Sequence, residues 1–566
     1  MQKINDTDVW RQLTDHHRQL VTSGLHIRDL FDQEPDRVQR LTLGSDAVTL
    51  DLSRHLMTAE TWRLLHELAA SAGVHDQINA MFAGQHVNRT ERRPALHVAL
   101  RGHSPALLPE AAGQVNDVLQ RMAALVTAVH SGSWRGHSGQ LITDVVNLGI
   151  GGSDLGPAMV SAALRPWHHS RVRTHFVSNV DPTHLRATLR DLDPATTLFI
   201  VASKSFTTLE TLQNAIAARH WCELQGVAHD CLHKHFVAVS SNVQAAAEFG
   251  IAEDNIYPMW DWVGGRFSLW SAIGLAIALA TDMDCFHQLL AGARSMDQHF
   301  LEAPAEQNLP VALALMTVWY RNFCGTSNQV VLPYAQDLHL LPAYLQQLDM
   351  ESLGKSVDVN GHRVDYATGT VVWGSAGTNG QHSFHQLLHQ GTEALPAEFI
   401  AVARAARAED DKQHRWLLAN CLSQSQALMC GRSLEQILAE LQQAGVEPDQ
   451  ARQLAPHQVV PGNRPSTTLL VEQLTPYSLG ELLALYEHRV FVQSVIWNIN
   501  TFDQWGVALG KQLSGQVFDA LGGNVPHDDA PHDDIQHGHA KHGTMDPSTR
   551  ALIERCRQWR ARGEED

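Results

Sequence analysis

At 566 residues the chain is too long for one hydrophobic core, so two or more domains are expected. Its 44% hydrophobic and 18% charged residues are those of an ordinary globular protein. With 60 acidic and 42 basic side chains the formal charge is −18, which argues against a nucleic-acid or anionic-membrane surface. An anionic ligand must therefore be held by local positive groups. Met1–Leu20 is polar and charged, which predicts no secretory signal, and the longest apolar run, Leu269–Ala280, is too short to span a bilayer. The seven cysteines are scattered without a C-x-x-C, as expected of reduced thiols in a cytoplasmic protein rather than a disulfide framework or zinc site.

In chain order, residues 1–135 read as a helical segment, with periodic apolar faces in Asp8–Thr22, Thr58–Ala72 and Ala111–Val129 and a short strand at Ala47–Leu52. Within it, the arginines and Glu91 of Asn88–Arg101 flank an apolar helical face. They read as a charged, solvated helix start or an inter-subunit salt-bridge patch. Residues 136–285 change period: strands at Asp144–Ile150, Thr174–Asn179, Thr197–Ser203 and His235–Ser241 alternate with helices, which predicts an α/β fold with a doubly wound parallel sheet. The loop Gly149–Gly156 lacks the third glycine of a dinucleotide fingerprint and is followed by no Walker lysine.

The strand Thr197–Ser203 runs into Ser203-Lys204-Ser205-Phe206-Thr207-Thr208, and a helical pattern follows at once. Thr207 and Glu210 are spaced as a capping box. Hydroxyls, an ammonium and free N–H groups at a helix N-terminus suit a phosphate dianion; the plainer reading is a Ser/Thr-rich turn with an ordinary cap. Next, Gly264-Gly265 forms a tight bend that sets Arg266 beside a helix N-terminus, to face a ligand or a buried carboxylate.

Alternation resumes over residues 286–510. Strands are expected at Gln329–Ala335, Phe399–Arg404 and Thr467–Val471, with a hairpin or two extended segments at Arg363–Trp373. Ser478 and Glu481 are spaced to cap a long helix that ends near Asn498. On the helix Leu341–Leu353, Gln347 and Glu351 share a face, and apolar neighbours would desolvate Glu351 into a useful base. His382 ends a glycine turn, and Gln504 and Lys511 lie seven apart on one face. Taken singly, these residues also fit an exposed glutamate, a capping histidine and a snorkelling lysine. Residues 511–566 form a C-terminal arm whose stretch 524–543, rich in His and Asp, reads as a mobile insert rather than a metal site.

Together, Asn88-x-Thr90-Glu91-x-Arg93, Gly149–Pro157, Ser203–Glu210, Gly264–Ser268, Gln347 with Glu351-Ser-x-Gly-Lys355, Gly377–His382 and Asp503–Lys511 closely resemble the phosphoglucose isomerase family, in its order along the chain. The resemblance implies two sugar-isomerase (SIS) α/β lobes with mainly parallel sheets, a homodimer, and no metal or organic cofactor. It implies that Ser153, Ser203, Lys204, Ser205 and Thr208 cradle a sugar phosphate, with Gly265, Gln347 and Gln504 also at the substrate. Glu351 would be the base, Arg266 the stabiliser of an enediolate, and His382 (from the partner subunit) and Lys511 the ring-opening groups. Ser205 stands where threonine is common, and the insert at 524–543 is not a family feature. The rival readings are a sugar-phosphate-binding regulatory protein without catalysis, an isomerase also accepting mannose 6-phosphate, and a dinucleotide-dependent oxidoreductase.

Overall fold

The computed structural model describes residues 3–522 and 545–562, so the expectation for 524–543 lies outside the described residues. Residues through Phe502 form one compact unit and those from Asp503 a second.

Two sheets organise the first unit. An N-terminal hairpin, β1 (Thr42–Gly44) and β2 (Val48–Asp51), includes the short strand expected there. Then β3 (Asp144–Leu148), β4 (Arg173–Val177), β5 (Thr197–Ala202), β6 (Phe236–Ser240) and β7 (Ile256–Pro258) pair in parallel in the order β4-β3-β5-β6-β7. The second sheet takes β8 (Asn328–Tyr334), β9 (Val371–Gly374), β10 (Ala397–Val402) and β11 (Ser466–Val471), and borrows the hairpin at its edge, in the order β1-β2-β11-β10-β8-β9. Strands β8 to β11 are mutually parallel, and β2 lies antiparallel on β11. Every residue of β3, β5, β6 and β10 is buried, as strands covered by helices on both faces must be.

The parallel strands of the two sheets repeat one topology. In each, the first strand lies between the second and third (β4-β3-β5 and β9-β8-β10), so the chain steps outward and then reverses. The reversal leaves a crevice between the carboxyl ends of β3 and β5 and another between those of β8 and β10, where open α/β sheets keep their ligands.

Several local expectations are corrected by tertiary contacts. The helix Leu209–Leu224 starts one residue later than its capping box requires: Thr208 is the N-cap and its side chain makes no capping bond. Thr207 pairs instead with Ser205, their hydroxyl oxygens 2.6 Å apart. The long helix Pro476–Ile496 is boxed by Thr475 and Ser478, while Glu481 is wholly buried and accepts from the Ala47 N–H at 2.7 Å. No hairpin forms at Arg363–Trp373, because β9 pairs with β8 in parallel. The segment Asn88–Arg101 is not a helix start, and only its front is solvated: Arg89, Thr90 and Arg92 are exposed, whereas residues 95–101 are buried. It turns through a bridge between Asn88 and Arg93 into a short 3₁₀ stretch, and its Arg101 is wholly buried. Arg101 donates to Asp297 (2.8 Å) and Glu487, whose other oxygen accepts from the Trp270 indole at 2.8 Å. Burial pushes the Glu487 carboxyl up to about 7, against the pull of Arg101.

Helices Met283–Glu302 and Pro476–Ile496 pack together at very close range. A Cβ at Gly480 would lie 2.0 Å from the Leu289 carbonyl oxygen, and one at Gly292 would lie 1.8 Å from that of Tyr477. Backbone meets backbone, so no side chain can move aside. Gly480→Ala is therefore expected to cost about 1–3 kcal/mol of stability, read as a lower midpoint in urea unfolding. An unchanged midpoint would show that the helices part freely.

Candidate active site

Three turns converge on one place. The first follows β3: Gly151–Ser153 is a 3₁₀ turn leading into the helix Leu155–Ala163. The second is Gly265–Phe267, and the third is the continuation of helix Leu341–Leu345, which widens into a π-helical turn over Gln346–Glu351. A Cβ at Gly152 would lie 2.0 Å from the Gly265 carbonyl oxygen, and one at Gly151 (φ +59°) 3.1 Å from the Gln347 amide nitrogen. At Gly152 only glycine permits such an approach to backbone, and at Gly151 glycine adopts the positive φ without strain.

At the junction sits Arg266, only 3% exposed. Its Nε donates to Ser352 Oγ at 2.7 Å, one Nη donates to the Thr501 carbonyl, and the other lies 3.5 Å from the Glu351 carboxylate. Glu351 is partly open to solvent, its side chain 23% exposed. A wholly buried cation with fixed donors beside a carboxylate that still reaches solvent is an arrangement able to move a proton and hold the charge that develops. Lys355 closes the far end of the turn, its Nζ donating to the carbonyls of Glu351 (3.1 Å), Ser352 (3.0 Å) and Asn500 (2.9 Å).

The hydroxyl-rich turn after β5 connects to the same place. Ser203 is buried and donates to Thr208 Oγ1 at 3.2 Å; Ser205 is exposed. Lys204 Nζ donates to the carbonyls of Val263 (2.9 Å) and Asp261 (3.3 Å), just before Gly265 and Arg266. Burial draws the Lys204 ammonium below its usual range, with Asp261 opposing. Arg93 also donates to the Asp261 carbonyl, at 3.3 Å, tying the segment Asn88–Arg93 to the turn that carries Arg266. Ser153 is half-buried and uses its carbonyl to accept from Asn147 at 2.9 Å.

The structure thus brings together Ser153, Lys204, Gly265, Arg266, Gln347 and Glu351, with Ser203, Ser205 and Thr208 on the adjoining turn. His382 is exposed in the 3₁₀ turn Asn379–His382 after β9, and among the described residues no hydrogen bond or ion pair joins it to Glu351. Gln504 and Lys511 belong to the second compact unit. Both are exposed, and Gln504 precedes the 3₁₀ turn Trp505–Val507, so it does not share a face of the helix Ala508–Ala520 with Lys511. Sequence reasoning passed over Ser352, Thr501 and the carbonyls of Asp261 and Val263. Only the lysine four residues after Glu351 gave a local signal. Among the described residues, no helix is long and apolar enough to cross a membrane, and no group of three or more His, Cys, Asp or Glu side chains is placed to hold a metal ion.

One parallel sheet and one mixed sheet whose parallel strands repeat its topology, with turns meeting at a guanidinium–carboxylate pair, are the architecture of an α/β enzyme. A family model described as phosphoglucose isomerase matches residues 51–540. The chain belongs to the phosphoglucose isomerase family. It is 51% identical over 563 residues to a glucose-6-phosphate isomerase of Hahella chejuensis, covering 98% of each chain. It is 53% identical over 495 residues to that of Saccharophagus degradans, covering 88% of this chain and 90% of the relative. Among solved structures, a glucose-6-phosphate isomerase from Chlamydia trachomatis superposes with a TM-score of 0.78 at 30% identity, covering 92% of this chain and 97% of that one.

Asp154, beside Ser153, has a buried Oδ1 without a hydrogen-bond partner, and burial raises its carboxyl to about 6. Because the folded value lies above the unfolded 3.8, this group's contribution to stability is full below about pH 3.8 and is lost as pH rises through about 6. Asp154→Asn should remove that slope, so thermal denaturation from pH 4 to 7 should show a flatter midpoint curve than the parent. Parallel curves would mean that Asp154 is ionised throughout.

Proposed function

We propose that the chain reversibly interconverts D-glucose 6-phosphate and D-fructose 6-phosphate by ring opening and proton transfer through a cis-enediol. The observation that carries this reading is the Glu351 carboxylate 3.5 Å from the buried Arg266 guanidinium, where the turns after β3 and β8 meet. Glu351 takes the proton from C2 of the open-chain aldose and returns it at C1. Arg266, immobilised by Ser352 and Thr501, holds the charge that grows on the enediolate oxygen without reorganising. Ser153, Ser203, Lys204, Ser205 and Thr208 take the phosphate, and Gly265, Gln347 and Gln504 contact the sugar; this remote binding orients the reacting carbons. His382 and Lys511 assist ring opening, with His382 supplied by the partner of a homodimer. Its exposed side chain, joined to Glu351 by no hydrogen bond or ion pair among the described residues, supports that arrangement. Residues 136–285 and 286–510 serve as the two lobes, and the enzyme works in the cytoplasm. Proton transfer alone completes the chemistry, so neither metal nor organic cofactor is required.

A coupled assay from fructose 6-phosphate to glucose 6-phosphate, with chelator present and no cofactor added to the isomerase, tests the reading; absence of turnover would end it. Glu351→Gln should lower turnover by at least ~10²-fold while phosphate-ligand binding stays nearly intact; retained turnover with lost binding would contradict the assignment. Mixing Glu351→Gln and His382→Ala subunits tests the shared site. A mixed dimer carries one intact site and one doubly altered site, so random re-association should restore about a quarter of the parent rate. No recovery would place His382 in the same subunit's site.

A further inference from the structure

The helix Pro476–Ile496 carries an ion-paired cluster that the proposed chemistry leaves unused. Arg489 is wholly buried and joins two carboxylates, Asp349 and Glu398, the latter at 2.9 Å. Glu398, on β10, also accepts from the Tyr486 hydroxyl at 2.9 Å and from Gln329 on β8. Asp349 is 1% exposed and lies inside the π-helical turn, two residues before Glu351. Buried ion pairs are poor stabilisers, since apolar side chains of similar volume often serve as well or better. Stability is therefore a weak reason for this cluster.

Geometry supplies a stronger one. A π turn carries an extra residue, its hydrogen bonds running from i to i+5, and such turns occur mostly as single insertions, frequently at functional sites. Relaxation to α-helical winding would shift the register by one residue and swing the following side chains by roughly 100° about the axis. Glu351 closes this turn and would leave Arg266. The turn is pinned at its end by Lys355 and at Ser352 by Arg266. Within it, the charged anchor is Asp349, and what holds Asp349 is Arg489.

We propose that Asp349 and Arg489 are positioning residues: their buried pairing locks the π turn Gln346–Glu351 and so keeps the Glu351 carboxylate at Arg266. Neither touches substrate; both act through the backbone that carries the base. This inference rests on the isomerase reading above.

The test uses the full-length enzyme, glucose 6-phosphate with hydrogen or deuterium at C2, and three variants. Asp349→Asn keeps the shape and loses the charge; Arg489→Lys keeps the charge and loses the fork. Arg101→Lys perturbs a second buried ion cluster, which no hydrogen bond or ion pair among the described residues joins to the turn. For the first two, kcat should fall between about 10- and 100-fold, as expected of a base displaced by about 1 Å. KM should stay within about twofold, and the deuterium isotope effect on kcat should rise as proton transfer becomes slower. Arg101→Lys should lower the melting temperature without moving kcat or the isotope effect. If Asp349→Asn fails to fold, Arg489→Lys decides. The proposal is overturned if the folded variants keep the parent kcat and isotope effect, if KM rises alone, or if Arg101→Lys reproduces their kinetics. An inactive parent enzyme would instead overturn the isomerase reading.

Discussion

A cation sealed from water governs how this protein is arranged. Burying a guanidinium costs several kcal/mol unless every donor is answered, so Arg266 can sit at 3% exposure only because several parts of the chain come to meet it. Ser352 lies just beyond the π turn and Thr501 follows the long buried helix, while Glu351 provides the opposing charge. None of these is a sequence neighbour of Arg266. Meeting its needs fixes the turn after β7 against the second sheet, and the close approach of Gly152 to Gly265 fixes it against the first.

The same constraint explains the division of labour between the sheets. Each parallel set reverses its winding after its second strand and opens a crevice at the carboxyl ends of its first and third strands. The first contributes small, hydroxyl-bearing turns after β3 and β5, suited to an anion that must be gripped against an overall charge of −18. The second contributes, beyond β8, a helix whose last turn widens and presents a carboxylate. Lys204 spans from the hydroxyl turn to the carbonyls before Gly265, so hydrogen bonds tie that turn to the one carrying Arg266.

Buried charge recurs in a second role along the helix Pro476–Ile496. Glu481, Glu487, His488 and Arg489 are wholly buried there, each answered by a residue from a distant part of the chain. The spacing of Ser478 and Glu481 suggested a cap, but Glu481 turns inward to the Ala47 N–H. The arrangement trades easy burial for definite partners: Asp297 must find Arg101 and His488, and Asp349 must find Arg489.

By itself the sequence determined the alternation of strands and helices, the parallel character of the sheets and the glycine turns. These depend on local periodicity, on backbone angles only glycine tolerates, and on short motifs whose residues are near neighbours. Tertiary structure alone decided that Arg101 is sealed inside, that Thr208 and not Thr207 begins its helix, that the hairpin Thr42–Asp51 extends the second sheet, and that the turn before Glu351 widens. Each of these outcomes depends on a partner contributed by a distant part of the chain. A carboxylate or a carbonyl carries no mark, in its own neighbourhood, of the cation that will come to face it.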